Sequence, residues 1–181
     1  MKKVNGERKF NLARLLSNCN RYVDDVIVLN YKNFDNRTSE IYPQDLILEK
    51  NGNNDKLVNY LDMTISIDDN GVSTNLYNKV NDFNFLVVTF TFPSSNIPIN
   101  LGYSIFFRQI LRYSMICTNK QNFLIKSNEI FKTLNKRGYK RETLHKRFIK
   151  VFNKDHFLLY KFGYRRVKEA SDDFVNIINN T

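Results

Sequence analysis

The hydrophobic periodicity of the chain changes near residue 98. Before that point, short runs rich in β-branched and aromatic residues alternate with polar turns, as in "LVNYLDMTISID" (57–68), which leads into "DDNG" (68–71). This pattern is typical of antiparallel strands joined by hairpins. After residue 98, apolar residues recur every three or four positions over long segments, which predicts helices. The sequence therefore predicts an α+β protein, with a partial antiparallel sheet followed by a helical region.

The first part of the chain predicts several short elements. They are a helix at 7–17, a strand–turn–strand unit at 19–30, strands at 45–50, 57–68 and 72–79, and a strand or extended segment at 82–93. Strand 72–79 should pair back on strand 57–68, because Asn-Gly between them favours a tight hairpin turn.

The second part predicts helices at 101–117, 119–138, 141–163 and 165–179, with a break in the third near Asn153. Asn119 can cap the second helix, since an asparagine oxygen accepts bonds from free N–H groups of the first turn. Gly138 can end the same helix, because glycine adopts the left-handed conformation without strain.

The charge of the chain is concentrated in its second part. Its net charge is +10, yet residues 1–100 contain 11 Lys and Arg against 12 Asp and Glu. Residues 101–181 contain 17 against 6, a net of +11. So uneven a distribution favours a polyanionic partner along the second part. The alternative is a solvated basic face on a helical region.

The cysteines and the hydropathy of the chain indicate the cellular compartment in which we expect the protein. Cys19 and Cys117 are far apart and match no metal-ligand spacing, which favours two free thiols in a reducing compartment over a single disulfide. No segment approaches 18 consecutive apolar residues, and the N-terminal residues lack the apolar core of a secretory signal. We expect an intracellular protein, nuclear or cytoplasmic, with no membrane partner. The basic run at 136–147 suits either a nuclear-import patch or an exposed helix surface.

The segment "NCNRYVDDVIVLN" (18–30) places Asp24 and Asp25 side by side in a strand-like run. Aspartate is a poor strand residue, and adjacent carboxylates repel each other. At a hairpin tip both could project into solvent, and a divalent cation would relieve the repulsion. Mg²⁺ suits such oxygen ligands, and Mn²⁺ could replace it. The alternative is a turn pair that only favours the loop conformation.

Tyr22-Val23-Asp24-Asp25 resembles the Tyr-x-Asp-Asp motif of reverse transcriptases. The segment "LVNYLDMTISIDDNGVSTNLYNKVNDFNF" (57–85) is similar to the stretch that follows this motif in retroelement polymerases. "SSNIPINLGYSIFFRQILRYSMIC" (94–117) resembles the Ser/Asn-Ile-Pro segment and Arg-containing helix that come next. Among retroelements, the chain resembles the Penelope-like elements and related retrotransposons. The resemblance covers roughly residues 12–165.

This resemblance implies that residues 1–99 form part of a palm subdomain and that residues 100–181 form a basic, nucleic-acid-binding thumb. It also implies RNA-directed DNA synthesis with Mg²⁺, on an RNA template and an RNA–DNA hybrid. The alternative function is that of a non-catalytic nucleic-acid-binding protein derived from a retroelement. In that case only the basic region would act.

The resemblance also assigns roles to single residues. Asp24 would be a catalytic carboxylate that binds the metal ion, and Asp25 would assist the metal or position the site. Tyr22 would lie under the primer terminus. Arg108 and Arg112 share one face of the first thumb helix at i, i+4, and would contact the template–primer duplex.

The chain departs from the family pattern upstream of the hairpin, where the fingers, a helix that holds the incoming nucleotide and an essential carboxylate would lie. A reverse transcriptase needs a third carboxylate from a strand upstream of the hairpin, and Glu7 is the only acidic residue before Tyr22. We expect the chain alone to be inactive or nearly so. It would then be a truncated or decayed polymerase, or a fragment that needs a partner supplying the N-terminal half. The sheet face that would pack against that half should be apolar and exposed.

Overall fold

The computed structural model is α+β, as the sequence predicts, and it divides into two compact units, Met1–Leu61 and Asp62–Thr181. It describes residues 14, 16–29, 33–43, 45–50, 56–69, 71–82 and 90–180. The division precedes the second hairpin, whereas the sequence suggested a boundary near residue 99. The reason is that this hairpin is bonded to the helices that follow it. Most of the predicted helix at 7–17 and most of the segment at 82–93 lie outside the described residues.

The first unit contains a hairpin and short helical turns. Its elements are a 3₁₀ turn at Leu16–Asn18, strands β1 (Cys19–Tyr22) and β2 (Asp25–Val28), a second 3₁₀ turn at Asp35–Arg37, the single-turn helix α1 (Thr38–Ile41) and strand β3 (Leu57–Tyr60). Among its residues whose burial the structure describes, none is fully buried. Leu46 and Ile47 are exposed but lie outside any strand, so the expected apolar sheet face stays a prediction.

Two strand predictions in this region are wrong. Residues 46–50 form no regular secondary structure, because no described strand pairs with them to complete their backbone hydrogen bonds. The predicted single strand at 57–68 is two strands, interrupted by a turn at Leu61 and Asp62. Leu61 has a φ of 54°, a left-handed conformation that L-residues with large side chains rarely adopt.

The second unit is a hairpin followed by helices. Its elements are β4 (Met63–Asp68), β5 (Gly71–Leu76), a 3₁₀ turn at Lys79–Asp82, and helices α2 (Ile99–Ile116), α3 (Lys120–Lys136), α4 (Arg141–Lys154), α5 (Phe157–Lys161) and α6 (Val167–Asn179).

Strands β4 and β5 pair antiparallel from Met63↔Leu76 to Asp68↔Gly71, which confirms the predicted hairpin. Gly71 has a φ of 123°, which only glycine adopts readily. The hairpin is bonded to the end of α2, where Thr118 N donates to Thr74 O at 3.0 Å and the Thr74 hydroxyl donates to Ile116 O. These bonds explain why the hairpin belongs to the helical unit.

The core of the second unit is built from aromatic rings contributed by successive helices. Phe148 of α4 stacks on Phe174 of α6, with ring centroids 3.8 Å apart. Phe123 of α3 stacks on Phe162, which follows α5, at 4.7 Å. Fully burying such a side chain contributes about 1.5–3 kcal/mol relative to leaving it exposed. The helices are therefore held by tertiary packing of their apolar faces.

Both predicted ends of α3 are confirmed. Asn119 Oδ1 accepts a hydrogen bond from Gln121 N at 2.7 Å, and Gly138 follows the helix with a φ of 96°. The predicted break in the next helix is also confirmed, since α4 ends at Lys154 and Asp155 Oδ1 accepts from Phe157 N at 3.0 Å to start α5.

One glycine of α2 is required by close packing. A Cβ placed on Gly102 would lie 2.1 Å from Tyr139 Oη and 2.4 Å from two carbons of its ring. Tyr139 is buried, and its hydroxyl donates to Thr91 O at 3.2 Å. Tyr103 packs edge-on against the same ring. The start of α2 can therefore approach Tyr139 only without a side chain at residue 102.

Candidate functional site

The Tyr-Val-Asp-Asp segment forms the end of the β1–β2 hairpin, as the sequence predicts. Tyr22 of β1 is paired with Asp25 of β2, and Val23 and Asp24 form the two-residue turn between them. Val23 has a φ of 51°. This conformation is strained for a β-branched side chain. Such strain persists only where the surrounding structure imposes it, and it is common at functional sites.

The two aspartates point to different sides of the hairpin. Because side chains of directly paired residues share a face, Asp25 lies on the same face as Tyr22. Asp24 instead lines a shallow depression together with Arg21 and Val26, which are paired on the opposite face. The two adjacent aspartates therefore have different neighbours in the hairpin.

Arg21 holds the turn from one side of the hairpin. Its Nε donates to Val23 O at 2.8 Å, so the strained residue is bonded to the strand that precedes it. The guanidinium also lies 5.6 Å from the ring centroid of Tyr42, a cation–π arrangement. On β1, Tyr60 Oη donates to Asn20 O at 3.4 Å. The turn is therefore held in position by neighbouring side chains of the same unit.

The donor type of the Asp pair suits a divalent cation. Asp24 and Asp25 are both exposed, and carboxylate oxygens are the ligands that Mg²⁺ takes, with water and phosphate oxygens completing its shell. Within the described part of the chain, no group of three or more acidic, histidine or cysteine side chains is placed to hold a metal ion.

The structure separates the roles of Arg108 and Arg112 on α2. Arg112 Nη2 donates to the Asp62 carboxylate, and its Nη1 donates to Gln109 Oε1 at 3.4 Å. The side chains of Arg112 and Asp62 are 43% and 38% exposed, so the ion pair is open to water. Arg108 is exposed, and no described residue pairs with it. Of the two arginines, Arg108 is the one whose charge is uncompensated.

A basic row on α4 lies beside this face of α2. Lys146, Lys150 and Lys154 follow one another at intervals of four residues and are all exposed. Lys154 Nζ lies 5.7 Å above the ring centroid of Phe107, the neighbour of Arg108. Like charges at i, i+4 destabilise a helix by a few tenths of a kcal/mol per pair, so an anion bound along the row would be stabilising. This row was not predicted from the sequence, although lysines at every fourth position of a predicted helix share one face.

Both cysteines are free, which agrees with the interpretation as thiols. Cys117 is buried at the end of α2, and burial raises the pKa of its thiol above the ordinary value. Burial also raises the pKa of Cys19. Neither thiol is therefore activated as a nucleophile at neutral pH.

His145 lies between α4 and α6. Its ring is half-buried and stacks on Phe174, and its Nε2 is 3.1 Å from the Ser171 hydroxyl. Burial, followed by the nearby Arg141 charge, lowers the pKa of His145 below 6.5. Its position between α4 and α6 is structural.

Comparison of the chain with protein-family models, with curated proteins and with solved structures found no match. No helix in the described ranges is long and apolar enough to cross a membrane. The resemblance to reverse transcriptases therefore depends on the sequence segments that carry it.

Proposed function

We propose that this chain is part of a retroelement RNA-directed DNA polymerase, to which it contributes the metal-binding hairpin and a basic helical region. The observation that carries the proposal is the hairpin end, where Asp24 occupies a tight turn and Asp25 pairs with Tyr22 on the other face. A catalytic carboxylate at such a tip is accessible to a metal ion and to polymer substrates without disturbing the strands below.

In this proposal Asp24 is the metal ligand and Asp25 shapes the Tyr22 face, where the primer terminus would lie. Bound Mg²⁺ would supply charge neutralisation at the reacting phosphate and activation of the attacking oxygen. Arg21 would keep the turn in place through its bond to Val23 O. The remaining carboxylate of the metal site would come from outside the described residues, either on the same polypeptide or on a partner.

Primer extension by the complete polymerase tests this function. Asp24→Ala should abolish extension, whereas Asp45→Ala, which removes another exposed carboxylate of the same unit, should leave it unchanged. Equal extension by the native and Asp24→Ala proteins would contradict the proposal. Loss of extension in both variants would also contradict it, because the effect would then not be specific to the hairpin.

The alternative, a nucleic-acid-binding protein without catalysis, is favoured by one observation: Arg108 and the lysine row of α4 are all exposed within the helical unit. Such binding would weaken steeply with salt and would show little sequence preference. The alternative predicts full binding by the Asp24→Asn, Asp25→Asn protein and no extension by any form of the complete element. Extension that depends on Asp24 would exclude it.

A further inference from the structure

A pair of exposed aromatic rings lies on α5, away from the hairpin. Phe157 and Tyr160 are 64% and 83% exposed, and their ring centroids are 6.2 Å apart with the planes tilted by 41°. We call Phe157 and Tyr160 the aromatic platform.

The helix that carries the platform is firmly attached. Leu158 and Phe162 are buried, and Phe162 stacks on Phe123 in the core. Lys161 Nζ donates to Ser114 O at 2.6 Å as well as to Met115 O, and so bonds α5 to the end of α2. The exposed rings of Phe157 and Tyr160 therefore lie on a short helix whose buried face and C-terminal residue are bonded to the rest of the unit.

The charge around the platform is mainly positive. Residues 154–169 contain five Lys and Arg against two acidic residues, Asp155 and Glu169, and Glu169 pairs with Arg166. The Asp155 carboxylate already accepts a hydrogen bond from Phe157 N. Arg165 is exposed, and no described residue bonds to its side chain. The surface is thus electropositive, with two rings standing out from it.

We propose that the aromatic platform binds single-stranded nucleic acid by stacking its bases on Phe157 and Tyr160, with phosphates held by the flanking cations. The positive charge favours a polyanionic ligand. The exposed rings favour a nucleic acid whose bases are unpaired and can stack on them. Aromatic stacking beside a basic groove is how proteins bind single strands without sequence preference. A duplex hides its base faces, so the rings would add little to duplex binding. This site does not use the Asp24 hairpin and stands independently of the proposed polymerase activity.

The test measures binding of the full chain to a fluorescently labelled oligothymidylate and to a labelled duplex of the same length. The Phe157→Ala, Tyr160→Ala double variant should bind the single strand about 10-fold or more weakly, and the duplex with unchanged affinity. The matched control is Ile125→Ala, which removes an exposed apolar side chain from α3. It should bind both probes as the native protein does.

A second measurement reports stacking itself. The chain has no tryptophan, so Phe157→Trp introduces a single indole fluorophore at the platform. Its emission should be quenched by the single strand and restored by salt, and the duplex should quench it much less. Unchanged emission on addition of a single strand that binds would overturn the proposal.

Two further outcomes would also overturn it. If the double variant binds the single strand as tightly as the native chain, the rings are not part of the binding site. If the native chain self-associates in sedimentation experiments and the double variant does not, the platform is a docking surface for a second copy. Loss of polymerase activity in Asp24→Ala has no bearing on these results, so the two proposals can fail separately.

Discussion

Tyr22 and Asp25 face each other across the β1–β2 hairpin, whereas Asp24, one residue earlier, occupies the turn and lines the depression on the other face. Two adjacent carboxylates are thereby given different surroundings. Asp24 meets solvent at the tip beside the strained Val23, and Asp25 lies beside an exposed tyrosine ring. Substitutions at the two positions should therefore have different consequences.

In the complete polymerase, we expect Asp25→Asn to retain measurable primer extension and Asp24→Asn to lose it. The asparagine at 25 keeps the size of the side chain beside Tyr22 and removes only its charge, whereas at 24 it removes the metal-binding carboxylate. Extension rates at saturating substrate measure the difference. Equal loss in the two variants would show that both carboxylates bind the metal directly.

On the helical unit, we expect Arg108→Ala to weaken nucleic-acid binding more than Arg112→Ala does. Arg108 is uncompensated, while Arg112 is already paired with Asp62. Loss of one phosphate contact should reduce the slope of log affinity against log salt by about 1. Binding titrations at several salt concentrations measure it. A larger loss for Arg112→Ala would mean that the Asp62 pair opens on binding.

The Arg112–Asp62 ion pair should contribute little to stability. Its side chains are 43% and 38% exposed, and open pairs of this kind contribute about 0–1 kcal/mol. A double-mutant cycle with Arg112→Ala and Asp62→Ala, followed by denaturant unfolding, measures the coupling. A coupling energy well above that range would show that the pair is a structural link between α2 and the turn that precedes β4.

Gly102→Ala should destabilise the protein by about 1–3 kcal/mol, although alanine is the better helix former by up to about 1 kcal/mol. The new methyl group would overlap the Tyr139 ring. Ser104→Ala, on the same turn of α2, is the control and should cost less. Gly102→Ala should be less harmful in a Tyr139→Ala background, where the ring is absent. A stabilising effect in the native background would contradict the packing described.

Stability should fall as the pH drops below about 6.5, the ordinary pKa of histidine. Burial, and then the Arg141 charge, lower the pKa of His145 in the folded state, so the unfolded chain binds a proton first. The stability that depends on neutral His145 is fully present above the histidine pKa of the unfolded chain. It is lost as the pH falls through the lower pKa of the folded protein. In His145→Phe, the free energy of unfolding should depend less on pH in this range. The control is His156→Phe, which replaces an exposed side chain and should leave this dependence unchanged.

The sequence predicted correctly those helix ends and hairpins that are determined by neighbouring residues in the chain. Asn119 and Gly138 mark the ends of α3 through cap chemistry, and alternation marked both hairpins. The turn at Leu61 escaped prediction because the residues around it continue the apolar alternation and include no glycine or proline. The strand at 45–50 was wrong because strand formation needs a partner, which an isolated pattern cannot supply.

The candidate site was predicted as a hairpin with its aspartates at the tip, but not with the two carboxylates on different faces. The faces that the two aspartates occupy depend on the pairing register of β1 and β2. A shift of this register by one residue would move every side chain to the opposite face. The Arg112–Asp62 pair joins residues 50 positions apart and has no local signal. The exposure of Phe157 and Tyr160 likewise depends on which face of α5 packs inward.

The most direct test of the central claim is a metal-switch experiment at Asp24 in the complete polymerase. A thiolate is a softer ligand than a carboxylate, so Asp24→Cys should extend primers poorly with Mg²⁺ and recover substantially with Mn²⁺, which accepts sulfur more readily. Asp45→Cys should behave as the native protein with either metal. Recovery at Asp24→Cys would identify Asp24 as a metal ligand. Native-like activity of Asp24→Cys with Mg²⁺ would contradict the account.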